Sequence, residues 1–414
     1  MIRKLSEKEI LFVRHLFLTT VLGGFIGILN YLFNIFVARY TTVEIFGFYS
    51  SVLGIIYILQ IPAVAIQATI TKDVALNKER DLERYKWKSL LTFFIIGIFL
   101  SLVFFILKDL VVDIASIPKE TVIYLSLTLL FAFVSPVGKG LLLGIEKVIE
   151  VNIVLLIETV LRFVVGIVAI KYGGSLPLLI LASSVPGMLS TLILLPLIKF
   201  DSRKSEEVKI NFKELLLITI CFLLLTAPYT VDLILVNPIF RAEYAAISLL
   251  GKLVYFASIT TASVMFARLT NEKNENSQKK SLLLSLGLSL FIGIFLSTLF
   301  FIFNGHVVDI TVGSQYNGIS GYVGVFGLCM AGFAFVYMAT NFFISKSYFK
   351  YLYILLFITV LQVVLFIKRN DSLAMVMQNQ VIVFGSLFLF TVIYLLFKLS
   401  KLKNGGEKKI GEES

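Results

Sequence analysis

Long apolar stretches separated by short polar segments recur along the whole 414-residue chain. Because a hydrocarbon core about 30 Å thick is crossed by roughly 20 apolar helical residues, this pattern predicts membrane-spanning helices. Charge clusters, prolines and glycines divide the apolar sequence into about twelve of them. The predicted helices lie near 13 to 36, 47 to 70, 89 to 107, 120 to 144, 148 to 170, 175 to 198, 214 to 236, 243 to 267, 282 to 304, 319 to 342, 348 to 367 and 374 to 397.

The composition supports a polytopic, all-α membrane protein. Charged residues make up 15% of the chain, hydrophobic residues 58%, and the mean hydropathy is +0.94, whereas a soluble domain is about 25% charged. The basic segment before the first span shows no cleavable signal, so that span is expected to serve as the targeting signal. The two cysteines and two histidines are scattered, which predicts neither a disulfide framework nor a metal site.

The distribution of Lys and Arg predicts the orientation. With the N-terminus placed inside, alternate polar segments hold 28 of the 37 basic residues, the opposite segments hold 7, and two lie within spans. Basic residues near span ends are retained on the cytoplasmic side, so both termini are expected to be cytoplasmic. The formal net charge of +11 then reflects topology and contact with anionic membrane lipids, and no nucleic-acid partner is expected.

A polar linker divides the predicted helices six and six, which indicates two parallel repeats of the kind found in transporters. The predicted organisation is an N-terminal six-helix bundle at 1–200, a cytoplasmic linker at 201–213, a C-terminal six-helix bundle at 214–400 and a polar cytoplasmic tail at 401–414. No loop exceeds about twenty residues, and the sequence contains no Walker loop, no GxSxG elbow, no HExxH motif and no cluster of His, Asp and Glu. The sequence therefore predicts a transporter, with no catalytic residue and no cofactor.

In the first half, polar residues within the spans are candidates for a transport cavity. Asn30 and Asn34 lie on one face of the first helix, where cavity lining and hydrogen bonding between helices are equally open. Arg39 follows at the outer end, as a cavity mouth or a hairpin anchor. Glu158 and Arg162 are four apart in the fifth helix, so a structural ion pair is predicted, although Arg162 could exchange its partner for a substrate phosphate.

In the second half, Lys252 and Tyr255 lie on one face of the eighth helix. Lys252 is read as an unpaired cation facing water, with escape of its ammonium to the membrane surface as the alternative. Asp232, in the seventh helix, is a candidate for proton or sodium coupling, or an acid that reaches the outside water.

Three phrases resemble one family: "FNIFVARYTTVEIFGFYSSVLGIIYILQIP", "YTVDLILVNPIFRAEYAAISLLGKLVYFASITTASVMFARLT" and "DITVGSQYNGISGYVGVFGLCMAG". They are similar to the polysaccharide-transport (O-antigen flippase) family of the multidrug/oligosaccharidyl-lipid/polysaccharide (MOP) exporter superfamily. The family phrases correspond here to Gly47-Phe48-Tyr49, to Asp232 with Tyr244-Ala245-Ala246, and to Gly313-Ser314-Gln315-Tyr316. The glycine of the second phrase is replaced by Arg241 or Ala242.

The resemblance implies a V-shaped fold of two six-helix bundles in the cytoplasmic membrane. It implies alternating access that carries a polyprenyl-diphosphate-linked oligosaccharide for surface glycan synthesis, with glycan assembly enzymes as further partners. Cations of the central cavity would meet the diphosphate, and the candidates here are Arg14, Arg39, Arg162, Lys252 and Arg268. The sodium site of relatives draws on helices 7, 11 and 12, and helix 11 offers little here beyond Gln362, which puts a full sodium site in doubt.

The alternative function is a cation-coupled drug or metabolite antiporter of the multidrug and toxin extrusion type. Such antiporters usually rely on cavity acids, whereas deep in these spans the acids are Glu158 and Asp232. An enzyme acting on a lipid-linked glycan and a membrane scaffold are the remaining readings.

Overall fold

The computed structural model describes residues 7–77, 81–200, 210–269, 275–345 and 348–411, and these residues form helices and turns without a strand. Side chains are described from residue 22 to residue 400 within those ranges, except at 214, 260–278 and 345. The seventeen α-helices of these ranges are α1 (Glu7–Tyr40), α2 (Val43–Leu59), α3 (Ile61–Leu76), α4 (Leu82–Ile106), α5 (Lys108–Ala115), α6 (Thr121–Gly144), α7 (Val148–Lys171), α8 (Leu176–Ala182), α9 (Val185–Leu197), α10 (Phe212–Thr226), α11 (Val231–Leu235), α12 (Arg241–Leu269), α13 (Glu275–Ile302), α14 (Asn304–Thr311), α15 (Ser320–Ser345), α16 (Leu352–Lys368) and α17 (Leu373–Gly411).

Eleven helical segments of the described ranges are long and apolar enough to cross a membrane, and Leu215–Tyr229 is a shorter apolar helix. Together they match the predicted order of about twelve spans. Many large apolar side chains on them face outward, such as Ile106 at 75% and Phe291 at 68% exposure. Apolar surface of this extent is stable in lipid and costly in water, so the protein is a multi-pass membrane protein.

Three predicted spans are interrupted. The second is divided between α2 and α3 at Gln60, two residues before Pro62. The sixth is divided between α8 and α9 at Ser183 and Ser184. The seventh passes from α10 through a 3₁₀ turn at Ala227–Tyr229 to α11. Because proline lacks an N–H group, it favours a helix start or an irregular turn, which accounts for these positions.

The chain divides into two compact units, Met1–Thr226 and Ala227–Ser414. This division and the predicted linker at 201–213 differ by the length of α10, which packs against α3 of the first unit. Within the first unit, α6 is central and packs against α3, α4 and α9, while α1 packs against α7. Gly144 allows the close approach of α3 and α6, since a Cβ atom there would lie 2.5 Å from Cβ of Val74.

The second unit has a core of α12, α13 and α15, and α17 packs against α15 and α16. The short α11 packs against α16, and its ends are held by hydrogen bonds. Gln362 Nε2 donates to the carbonyl of Pro228 over 2.8 Å before α11, and Asn370 Nδ2 donates to the carbonyl of Leu235 over 2.8 Å at its end. These bonds satisfy backbone carbonyls that the broken helix leaves without a helical partner.

Candidate functional site

The guanidinium of Arg162, in α7, lies among neutral groups of α1 and α2. Its Nη1 donates to Asn30 Oδ1 over 3.0 Å, and its Nη2 donates to the hydroxyl of Tyr49 over 3.4 Å. The guanidinium also lies over the Phe33 ring, with 4.4 Å between Cζ and the ring centroid. All its hydrogen-bond and ring partners among the described side chains are therefore uncharged.

Asn30 and Asn34, the two asparagines that the sequence singled out in α1, form further hydrogen bonds around Arg162. Asn34 Nδ2 donates to the carbonyl of Asn30 over 3.1 Å, and Asn34 Oδ1 accepts from the Tyr49 hydroxyl over 3.0 Å. Asn30 Nδ2 donates to the carbonyl of Ile26 and to Thr159 Oγ1. Both amides thus join α1 to α2 and α7, which is the interhelical bonding that the sequence left open beside cavity lining.

The Phe33 ring is held in place by α7. A Cβ atom at Gly166 would lie 2.2 Å from Cε2 of Phe33, so only glycine leaves room for the ring at this contact. Phe163 packs edge-on against the same ring, with 5.4 Å between centroids. The ring therefore provides a fixed apolar surface under the Arg162 guanidinium, a geometry that favours a cation.

The predicted ion pair between Glu158 and Arg162 is wrong, because Glu158 pairs with Lys139 instead. Both oxygens of Glu158 lie 3.0 Å from Nζ of Lys139, and the Ser190 hydroxyl also donates to this carboxylate. Lys139 lies within α6 and is 8% exposed. A buried ammonium needs a counter-charge, and Glu158 supplies it, so no carboxylate of the described side chains pairs with Arg162.

Asp232 lies at the start of α11, fully buried. Its Oδ2 accepts from the Tyr244 hydroxyl and from Gln380 Nε2, the latter over 2.8 Å. Its Oδ1 accepts from the backbone N–H of Leu233 over 2.9 Å. Gln362 Nε2 extends the network with a 3.3 Å bond to Gln380 Oε1. The acid is therefore enclosed by donors, and the alternative of a helix-end acid reaching outside water is excluded for this conformation.

Lys252, in α12, is 7% exposed, and its Nζ lies 5.4 Å from the centroid of the Tyr229 ring. Its charge also interacts with that of Asp232. The expectation of an unpaired cation at Lys252 is therefore wrong, because its ammonium interacts with a carboxylate. Tyr255 is 5% exposed and packs in an aromatic cluster with Tyr229 and Phe333, with centroids 5.9 and 5.3 Å away.

The other predicted cations lie apart from this geometry. Arg39 is exposed in the last turn of α1. Arg14 in α1 and Arg268 in α12 lie outside the described side chains. The structure thus brings Arg162, Asn30 and Asn34 together in the first unit, and Asp232 and Lys252 together in the second.

Sequence reasoning missed Phe33, Lys139 and Gln380, and it met Tyr49 only as part of a family phrase. Phe33 carries no polar signal, and Lys139 stands near the end of an apolar stretch, where a lysine is ordinary. The sequence did contain a signal for Lys139, because this charged residue lies within the predicted helix at 120 to 144. For Gln380, the signal available was a polar residue within the twelfth predicted span.

No family model matches the chain, and no curated protein matches it in sequence. Solved structures match it in fold. An inward-facing multidrug resistance MATE family transporter of the MOP superfamily gives a TM-score of 0.71 at 16% identity, over 91% of this chain and 95% of its own. An outward-facing MATE transporter gives 0.65 at 15%, over 95% and 96%. The lipid II flippase MurJ, in an inward closed conformation, gives 0.69 at 13%, over 94% and 87%. At these identities the likeness shows the fold alone, which this chain shares with these solved structures.

Proposed function

We propose that the protein is a flippase that moves a polyprenyl-diphosphate-linked oligosaccharide across the cytoplasmic membrane by alternating access, with both termini cytoplasmic. The observation that carries this proposal is Arg162, a cation within a membrane span whose described partners are all neutral. An intramembrane cation is costly and needs a functional or structural partner. A diphosphate supplies such a partner, because the planar guanidinium binds two phosphate oxygens at once.

The charge balance supports an anionic substrate. Lys139 pairs with Glu158 and the charge of Lys252 interacts with that of Asp232, whereas the described partners of Arg162 are neutral. Arg162 is therefore the cation of these three that a substrate anion can pair with. A lipid-linked sugar diphosphate carries about two negative charges, and moving them through hydrocarbon requires cations and hydrogen-bond donors on the way.

The solved structures that share the fold include two kinds of transporter, and each suggests a different class of substrate. The flippase reading agrees with the name of one, the lipid II flippase, and membrane lipids and a lipid-linked glycan are the partners that it implies. The alternative is an antiporter for cationic drugs or metabolites, in agreement with the multidrug resistance transporters. That alternative calls for an acid free to meet a cationic substrate, and both described interior acids are engaged. Neither reading makes the protein an enzyme.

Asp232 is the proposed coupling site for H⁺ or Na⁺. It is enclosed by the Tyr244 hydroxyl and the Gln380 amide, and Gln362 offers a buried Oε1 that accepts no hydrogen bond within the described part of the chain. Replacing Asp232 with Asn keeps the size of the side chain and removes its charge. We expect translocation by this variant to lose its dependence on a proton or sodium gradient; an unchanged dependence in vesicles would exclude Asp232 as the coupling site.

The function is tested by reconstituting the native protein in liposomes. One preparation carries a fluorescent polyprenyl-diphosphate oligosaccharide, whose transfer between leaflets is followed with a membrane-impermeant quencher. A second preparation carries a cationic dye and an imposed proton or sodium gradient. We expect protein-dependent transfer of the lipid-linked sugar and no dye transport; the opposite pattern would establish the antiporter instead.

A further inference from the structure

The hydrogen bonds around Arg162 have a defined direction, which follows from their fixed members. Thr159 Oγ1 donates to the carbonyl of Leu155 over 2.8 Å, so it accepts from Asn30 Nδ2. Both N–H groups of the Asn30 amide are thereby used, by Thr159 and by Ile26. Asn30 Oδ1 is left to face Arg162.

The same reasoning orients the second branch. Asn34 Nδ2 donates to a backbone carbonyl, so Asn34 Oδ1 faces the Tyr49 hydroxyl. That hydroxyl gives its proton to Asn34, and its lone pair is left for Arg162 Nη2. Two acceptors on α1 and α2 thus meet two nitrogens of the guanidinium.

The remaining groups of this cluster are donors. A guanidinium has five N–H groups, and its described partners accept from two nitrogens, Nη1 and Nη2. Arg162 Nε is buried and has no hydrogen-bond partner among the described residues. Buried polar groups normally form hydrogen bonds. Because the neighbouring acceptors already bind Nη1 and Nη2, the Nε–H group needs an acceptor from outside this cluster.

We propose that Asn30 and Tyr49 are positioning residues that fix the Arg162 guanidinium on the Phe33 ring, so that its unused N–H groups bind one phosphate of the substrate. This inference rests on the proposed function and names the part of the substrate that the site takes. Asn34 acts one step further out, by fixing the direction of the Tyr49 proton. The fixed fork favours a tetrahedral oxyanion that accepts two hydrogen bonds over a cation or a neutral sugar.

The test is a double-mutant cycle on the full-length protein in detergent, with inorganic pyrophosphate as the probe. Affinity is measured for the native protein, Tyr49→Phe, Arg162→Lys and the double variant. Tyr49→Phe removes one hydroxyl and keeps the ring, and we expect it to weaken binding about 3- to 10-fold. In the Arg162→Lys background the same change should have almost no effect, because a lysine ammonium has no planar fork to orient.

A merely structural role for Tyr49 predicts a different result, namely an equal loss of affinity in both backgrounds. Tyr351→Phe is the matched control, since the Tyr351 hydroxyl is also buried and hydrogen-bonded, to Thr391 over 2.6 Å. This control should bind pyrophosphate as the native protein does. Native affinity in Tyr49→Phe, or a control that loses as much, would overturn the inference.

Failure of this inference is separable from failure of the proposed function. Pyrophosphate binding that depends on Arg162 but not on Tyr49 would leave the flippase proposal intact and remove the positioning role. Binding that follows the cycle, together with no transfer of the lipid-linked sugar in liposomes, would keep the phosphate site and reject the flippase.

Discussion

The partner of Glu158 can be tested by measuring stability, because the sequence and the structure name different cations for it. The structure gives the pair Lys139–Glu158, with both side chains at most 14% exposed. Removing one member of a buried ion pair leaves an uncompensated charge and costs about 3–5 kcal/mol. We therefore expect Lys139→Met and Glu158→Gln each to lower the free energy of unfolding by about 3–5 kcal/mol.

The double variant distinguishes pairing from two independent losses. With both charges gone, no unpaired ion remains, so Lys139→Met with Glu158→Gln should lie within about 1–2 kcal/mol of the native protein. The assay is equilibrium unfolding in mixed micelles with increasing sodium dodecyl sulfate. A parallel cycle with Arg162→Met should show little coupling to Glu158. Additive losses at 139 and 158, or a larger coupling energy between 158 and 162, would refute the assignment.

Two further predictions concern packing and pH. Gly166→Ala should force the Phe33 ring away from α7 and lower both the thermal midpoint of unfolding and the affinity for pyrophosphate. Gly27→Ala is the control, because a Cβ atom there meets no atom within 4 Å, and it should be neutral or stabilising by up to about 1 kcal/mol. Equal thermal midpoints for the two variants would contradict the close contact between Gly166 and Phe33. Lys119 lies 2.7 Å from Asp109 outside the spans and lowers the pKa of that carboxyl, so this pair stabilises the protein at neutral pH and loses its effect as pH falls through the lowered pKa. Lys119→Gln should therefore have a slightly lower thermal midpoint than the native protein at pH 7 and the same midpoint in strong acid. A difference in midpoint that persists in strong acid would show that the loss of this ion pair is not its cause.

The order of spans could be predicted from the sequence because the bilayer imposes one length on every crossing. The predicted fifth helix at 148 to 170 and the observed α7 at Val148–Lys171 agree for this reason. The breaks in three spans were not predicted. A proline within an apolar stretch is compatible with a kink, a break or a continued helix, and Pro136 lies within the continuous α6.

The candidate site was predicted only in part, because residue spacing within one helix cannot show which neighbouring helix lies alongside. The spacing of Glu158 and Arg162 fits an ion pair on α7. Glu158 nevertheless pairs with Lys139 of α6, and Arg162 donates to Asn30 of α1. The two charged side chains of α7 therefore have different partners. Tertiary packing therefore decided the pairing, and the sequence identified Arg162 while giving it the wrong partner.

The two units have different polar interiors. In the first unit a neutral network of amides and a tyrosine surrounds Arg162. In the second unit the amides surround an acid, Asp232, whose charge interacts with Lys252. An anion-binding site in one unit and a cation-coupling site in the other is the division of roles that this account assigns.

The central claim is that Arg162 carries the diphosphate during translocation, and the most direct measurement is the rate at which variants transfer a fluorescent polyprenyl-diphosphate oligosaccharide between liposome leaflets. Arg162→Ala removes charge-assisted hydrogen bonds worth about 1.5–3 kcal/mol, so the rate at limiting substrate should fall roughly 10- to 150-fold. Lys171→Ala removes the same charge from the exposed last turn of the same helix and should transfer at the native rate. Transfer by Arg162→Ala at the native rate, or an equal loss in both variants, would contradict the account.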